Sequence, residues 1–400
     1  MYNLNRASQI SFPGEDILQR ARIFSYDFLR QREARGMLHD KWIIVKDLAA
    51  EVQYTLDFPW YASLPRVEAR IYLDQYGGND DVWIGKTFYR MPLVNNNVYH
   101  ELARNDFNRC QVVHQLECHG LHMWSLENGL EIFGVTPEDI LRAYFLAAAC
   151  TFEPYRAAER LAWARAILLA NTISEHFHNN LHDKKRLECF VHCLFEETDV
   201  LWKERNLKDA IITKALSQLI DLMAREAQPV HGGQNYTHNL LRLAWTQWMM
   251  QKIDKEKEKY SKSNVKGPRH MVHDGQTCLL LFQIIEICAG RIGESSSMIN
   301  NKDNDHFIQL CCSVCDYINH KVLLSQDTES NEAALKCIDK EIDWAMQELA
   351  QCLLLRSDEC MRNRMTKQTL WNIVRSSYYA THCPSYMMDR HVSKVIFEPV

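Results

Sequence analysis

Thr136-Pro137-Glu138-Asp139, continuing as Ile140-Leu141-Arg142-Ala143-Tyr144-Phe145-Leu146-Ala147-Ala148-Ala149-Cys150, decides the fold class. Thr136 carries the side-chain oxygen of an N-cap, and Pro137 suits the first helical position. Glu138 and Asp139 fall where the peptide dipoles present positive charge. Behind them Leu141, Tyr144, Phe145 and Ala148 recur at the spacing of one helix face. The same period extends outward in both directions. After Pro13-Gly14, Glu15 and Asp16 open a helix with Ile17, Leu18, Ala21, Phe24 and Phe28 at helical intervals. Another is predicted from Pro65, with Val67, Ile71 and Tyr72 inward, stopping at Gly77-Gly78. Further helices are predicted over roughly 157–177, 206–226, 238–252, 276–290, 305–324, 333–355 and 366–381. Alternating strand patterns are nearly absent, and 14 Gly with 10 Pro are too few for the many tight turns of an all-β protein. The sequence predicts an all-α protein.

At 400 residues and 46.9 kDa, the chain has length for two to three domains of ~150 residues, and for a core that needs no disulfide or metal. Hydrophobic residues at 46% and charged residues at 24% exclude bulk disorder. Lys and Arg total 46 against 51 Asp and Glu, a net charge of −5, so no chain-wide basic field for nucleic acid exists. Fourteen Cys sit mostly in apolar stretches (Cys150, Cys193, Cys278, Cys288), where a reduced thiol acts as a small buried hydrophobe. No run of about eighteen apolar residues is present, so no membrane span is expected. The opening MYNLNRASQI is neither a secretory signal nor a transit segment and reads like the middle of a domain.

Three stretches read as solvated loops: Lys252 to Asp274, Gly293 to Asn304 and Ser325 to Glu332. The first holds seven Lys or Arg between Lys252 and Arg269, but interleaved acids cancel much of their field. A domain seam is expected between Tyr99 and Thr136, where Gly120, Gly129 and Gly134 interrupt the helical text.

Several constellations invite chemistry. In Glu175-His176-Phe177-His178-Asn179-Asn180-Leu181-His182, His178 and His182 stand four apart, a spacing that suits two imidazoles on one zinc. A polar helix end is the plainer reading, since His-Glu-x-x-His and an obvious third ligand are missing. A metal-binding helical regulator using His176, His178 and His182 stays open as a minor alternative. Cys312-x-x-Cys315 and Cys189-x-x-x-Cys193 lie in helical apolar text without a second pair at zinc-ribbon spacing, which favours core packing. Asp80-Asp81 reads as a capped helix start, because a magnesium-binding Asp-Asp-x-x-Asp would need a third acid. Beside it, Trp83 offers a face for a cation and Lys86 a charge for phosphate oxygens. Dinucleotide, Walker and nucleophile-elbow motifs are absent, as is any identifiable triad.

Taken together, Tyr2–Gln9, Phe12–Glu15, His39-Asp40-Lys41-Trp42, Pro59–Arg66, Tyr72–Gly78, Asp81–Lys86, Tyr89-Arg90-Met91 and Arg156–Arg165 resemble the plant copalyl diphosphate synthases. These are class II diterpene cyclases of the terpene synthase family. The similarity runs from Met1 to Lys394-Val395-Ile396-Phe397. The resemblance implies three α-helical domains, γ, β and α, with geranylgeranyl diphosphate cyclised by protonation in a cavity between γ and β. The family's acid is the middle Asp of an Asp-x-Asp-Asp motif that lies before the stretch matching Met1, and this chain contains no Asp-x-Asp-Asp. The resemblance therefore implies a C-terminal fragment: the end of β over residues 1–110 and a complete α domain over 111–400. Ser174-Glu175-His176-Phe177-His178 stands where class I members carry Asp-Asp-x-x-Asp for magnesium.

Residue by residue, the resemblance assigns Lys41 to the substrate diphosphate, Trp83 to the cavity wall and Asn3 to a polar cavity position. Tyr89 matches a position connected with product stereochemistry, where Tyr resembles the ent-forming members. A surface Lys, a core Trp and an Asn cap are the bland readings of the first three. The sequence departs from the family at Glu117-Cys118-His119, where Glu-Trp is usual, and in the long 252–274 loop. The implied activity is formation of copalyl diphosphate for gibberellin or related diterpenoids, with Mg²⁺ as cofactor, in plastids. Protonating an alkene requires a strong acid in a water-poor cavity, so this chain alone is expected to be inactive. The rival expectation is a non-catalytic helical protein that binds a prenyl diphosphate or a partner. Product stereochemistry and oligomeric state stay open.

Overall fold

The computed structural model describes residues 1–12, 14–38, 48–76, 97–194, 206–227, 233–260, 274–291, 302–325, 332–354 and 361–400. Among them there is no strand. The helices are α1 Tyr2–Ser8, α2 Asp16–Ala34, α3 Leu48–Asp57, α4 Pro65–Tyr76, α5 Asn97–Glu127, α6 Pro137–Cys150, α7 Ala157–Asn179 and α8 Lys184–His192. They continue as α9 Leu207–Glu226, α10 Gly233–Tyr260, α11 Gly275–Cys288, α12 Lys302–Ser325, α13 Glu332–Leu354, α14 Met361–His382 and α15 Ser385–Val392. A π-turn over Ser393–Phe397 follows. No described helix is long and apolar enough to cross a membrane.

The start signal at Thr136 forms a reciprocal cap. Its Oγ1 accepts from Asp139 N at 3.2 Å, while Asp139 Oδ2 accepts from Thr136 N at 2.9 Å. Asp274 and Asn206 cap α11 and α9 in one direction only, their side chains accepting from Thr277 N and Lys208 N. Helices α7 and α11 lie at the centre of the bundle and pack on each other; α7 also meets α6 and α9, and α11 meets α10, α12 and α14. In α11, Leu280, Leu281, Ile284, Ile285 and Ile287 are all buried. Phe58, Tyr61, Leu64 and Val67 join this core from the N-terminal segment. A separate cluster of Leu29, Leu38, Val52 and Leu56 holds α2 against α3.

Some sequence expectations are corrected. Gly120 lies inside the unbroken helix α5, so the interruption falls only at Gly129 and Gly134, whose φ values of +69° and +76° bracket the turn Leu130–Phe133. Helix α10 extends to Tyr260 into the stretch expected as the Lys252–Asp274 loop, and residues 261–273 lie outside the described residues. Lys252 and Asp274 are instead buried and joined by a 2.8 Å ion pair. His178 and His182 do not share a helix face, since α7 ends at Asn179 and His182 sits in the following 3₁₀ turn. Cys189 is exposed rather than packed in the core. Asp80, Asp81 and Lys86 lie outside the described residues.

Inside the bundle some buried polar groups are fully matched, whereas others, such as Trp163 Nε1, Trp245 Nε1 and Ser377 Oγ, find no hydrogen-bond partner. Arg160, fully buried, donates to both Glu117 carboxylate oxygens at 2.7 and 2.6 Å and to the Thr151 and Glu153 carbonyls. Glu117 also accepts from Tyr144 Oη at 2.8 Å. Near the chain end, Arg70 donates to the carbonyls of Lys394, Glu398 and Pro399, and Gln111 Nε2 donates to those of Lys394, Val395 and Glu398.

Candidate active-site cleft

Helices α1, α3 and α4 enclose a cleft of about 340 Å³ lined by Tyr2, Arg6, Gln9, Glu51, Tyr54, Thr55, Phe58, Trp60, Glu68 and Tyr72, among others. Its size is at the small end of the ~300–1,000 Å³ usual for ligand sites. Gln9 fastens the corner. Its Nε2 donates to Asn5 Oδ1 at 3.0 Å and to the Thr55 carbonyl at 3.3 Å. Its Oε1 accepts from Trp60 N at 3.1 Å, and its carbonyl accepts from Trp60 Nε1 at 3.0 Å. These bonds fix the Trp60 ring, which stacks 6.0 Å from Trp371 of α14. Tyr54 on α3 and Phe58, just past its end, have ring centroids 5.2 Å apart, and Phe58 lies 4.7 Å from Tyr379. The floor of the cleft is therefore aromatic and backed by the main core.

Its rim is polar. Tyr2 Oη donates to Glu51 Oε1 at 2.6 Å and lies 3.3 Å from Thr55 Oγ1. Burial, and then the Glu51 carboxylate, push the Tyr2 phenol up to about 12, so it keeps its proton and its donor role. Burial likewise pushes Tyr54 well above the ordinary phenol range, with Glu68 adding to the effect. Aromatic faces lie below, and on the rim the Arg6 guanidinium offsets the Glu51 and Glu68 carboxylates.

Of the residues singled out in the sequence, Asn3 lies exposed on α1, beside Tyr2, and is not among the residues lining the cleft. Lys41, Trp83 and Tyr89 lie outside the described residues. Sequence reasoning missed Gln9, Tyr54, Glu51 and Glu68. The stretches Tyr2–Gln9 and Pro59–Arg66 contain Gln9 and Trp60, but nothing in their spacing says that the two meet.

Around His176, where the sequence resemblance sets the class I metal motif, Asp209 is already engaged. His176 is buried on α7 and bonds through Nε2 to Asp209 Oδ1 at 2.7 Å; Arg186 holds the other Asp209 oxygen. Although burial opposes it, these two partners hold the Asp209 carboxyl below its ordinary range. A carboxylate so neutralised is a poor ligand for a hard cation. Among the described residues no three or more His, Cys, Asp or Glu side chains are grouped to hold a metal, so these residues do not fit Mg²⁺.

No family model matches the chain. It is 68% identical over 400 residues to the chloroplastic ent-copalyl diphosphate synthase AN1 of Zea mays, covering all of this chain and 48% of that protein. The chain belongs to the copalyl diphosphate synthase family. It spans about half the length of the curated relatives it matches. The crystal structure of ent-copalyl diphosphate synthase from Arabidopsis thaliana, bound to an aza-dihydrogeranylgeranyl thiolodiphosphate, superposes with a TM-score of 0.72 at 30% identity, covering all of this chain and 52% of that one. The fold is shared more widely. Isoprene synthase from grey poplar, in complex with three Mg²⁺ ions, gives a TM-score of 0.76 at 18% identity, covering all of this chain and 76% of that one. The all-α architecture read from the sequence is thus the terpene synthase fold.

Proposed function

We propose that this chain forms part of a class II diterpene cyclase that converts geranylgeranyl diphosphate to copalyl diphosphate, of the ent series, in plastid diterpenoid or gibberellin biosynthesis. The observation that carries this reading is the 68% identity over the whole chain to an ent-copalyl diphosphate synthase. Residues up to about 110 would complete a β domain, and residues 111–400 would form the α domain. Protonation of the terminal alkene makes a tertiary cation, two ring closures move the charge inward, and loss of another proton leaves the product an isomer of the substrate. The aromatic floor of Tyr54, Phe58 and Trp60 supports the idea that the α1–α3–α4 cleft belongs to a wall facing such cations. Lys41 would hold the diphosphate, Trp83 and Asn3 would line the cavity, and Tyr89 would bear on stereochemistry. Mg²⁺, implied by the family, would arrive with the diphosphate; no step here runs through it.

The acid is the missing part. No Asp-x-Asp-Asp occurs in this sequence, and Glu51, the cleft carboxylate, accepts a hydrogen bond from Tyr2 Oη rather than offering a proton to an alkene. The purified 400-residue chain, given geranylgeranyl diphosphate and Mg²⁺, should yield no copalol after dephosphorylation. The same chain joined behind the preceding half of the Zea mays relative should yield ent-copalol by gas chromatography–mass spectrometry. A folded chimera without product, or turnover by the short chain, would overturn this assignment.

A second reading rests on exposed apolar side chains of α1 and α2, with Leu4 40%, Phe24 57% and Ile17 75% exposed. They favour a non-catalytic protein that binds a prenyl diphosphate or a partner. Saturable binding of geranylgeranyl diphosphate by the short chain, together with an inactive chimera, is the outcome specific to it.

A further inference from the structure

Far from the cleft in sequence, the last turn of α8 presents two thiols side by side. Cys189 is exposed, Cys193 is half-buried at the helix C-cap, and their Sγ atoms are 4.0 Å apart. Sulfur is well placed there for either of two chemistries, and geometry separates them. A disulfide needs Cβ atoms about 3.5–4.5 Å apart and sulfurs at about 2.05 Å. Side chains one helical turn apart hold their Cβ atoms about 5–6 Å apart, so closing the bond would require the helix end to deform. A metal bridge needs no such movement. Two thiolates on a tetrahedral ion at about 2.3 Å per bond lie about 3.8 Å from each other, close to the separation found.

We propose that Cys189 and Cys193 form a two-thiolate chelate for a soft divalent d¹⁰ cation of the zinc–cadmium class. Binding displaces both thiol protons: two R–SH and one M²⁺ give M(SR)₂ and two H⁺. Two thiolates fill two of the four positions of a tetrahedral ion. Hard Mg²⁺, which takes oxygen ligands, does not compete for it. The rest of α8 supports the placement. Its inner face is anchored by the buried Leu187, Phe190 and Val191, and Lys184 on its outer face is tied to Glu188 at 3.2 Å and to Asp254 of α10 at 2.7 Å. The thiols thus stand on a fixed surface. The buried Cys150, Cys278, Cys288, Cys311 and Cys315 are withheld from solvent.

The test is titration of the reduced full chain with Cd²⁺ in excess Mg²⁺, followed by sulfur-to-cadmium charge-transfer absorption and by proton release. The expected result is one tight equivalent releasing two protons. Cys189→Ser and Cys193→Ser should each weaken that equivalent at least tenfold, with unchanged circular dichroism. In the parent protein, Cd²⁺ should slow alkylation of Cys189 and Cys193 together, as read by peptide mapping; this arm needs no variant to fold. An equivalent that survives both substitutions, or falls with only one of them, overturns the chelate. So does closure of a Cys189–Cys193 disulfide by a small-molecule disulfide when no Cd²⁺ equivalent binds.

Discussion

Gln9 donates from one side-chain nitrogen to Asn5 and to the Thr55 carbonyl, while its oxygen receives the Trp60 backbone N–H. Leu at this position would fill similar space and leave the Trp60 N–H and the Thr55 carbonyl without these bonds. Gln9→Leu is expected to lower stability by about 1–3 kcal/mol, read as the midpoint of urea unfolding. Arg160 is a stronger case, because it neutralises the half-buried Glu117 and satisfies two carbonyls at once. Arg160→Met would strand that carboxylate, at a cost of roughly 3–5 kcal/mol on the same measurement. A loss within experimental error would mean that water reaches Glu117 from outside.

Between elements, the tightest approach is at the start of α11. A Cβ on Gly275 would come within 2.7 Å of Asp316 Oδ2 and of the Cys312 carbonyl on α12. The carbonyl is backbone and cannot step aside, so Gly275→Ala is expected to push the two helices apart and lower the thermal midpoint by an amount corresponding to about 1–3 kcal/mol. Much at this scale was legible in the sequence. The segments read as roughly 157–177 and 305–324 are Ala157–Asn179 and Lys302–Ser325, because a strong apolar period marks each. Helix α5 was hidden for a physical reason. Its inner face carries Phe107, Cys110, His114, Leu121 and Trp124, but Val98, Leu102, Val112 and Leu116 crowd its outer face, and the contrast that marks an amphipathic helix is lost. Lys252 misled similarly, since a lysine in a charge-rich stretch gives no sign of a buried partner 22 positions on. The cleft was illegible for a third reason: Gln9 and Trp60 meet across 51 positions, and periodicity reports only neighbours.

At the scale of the whole molecule, three histidines among the described residues are folded away in their neutral form. Burial, with Arg160 and Arg66, lowers His114 to about 3. Burial and Lys321 lower His382 to about 4, and burial with Arg390 and Lys394 lowers His391 to about 4. Their unfolded value is ~6.5, so between these limits the unfolded chain binds more protons. The stability they contribute is whole above about pH 6.5 and falls on acidification by roughly 1.4 kcal/mol per pH unit for each histidine, levelling off below the folded values. Urea midpoints measured from pH 7 to 4 should show that decline. His382→Gln, which takes up no proton, should remove about one histidine's share of the slope, whereas an identical slope would place the acid sensitivity elsewhere. The clasp of Arg70 on the Lys394 carbonyl joins residues 324 positions apart. During synthesis at ~5–20 residues per second, the ribosome needs about 15–65 s to travel between them. For that interval α4 carries a guanidinium whose three carbonyl acceptors have not yet been made. The segment around α4 of a nascent chain must therefore wait, incompletely locked and open to chaperones, until Lys394 to Pro399 have been added.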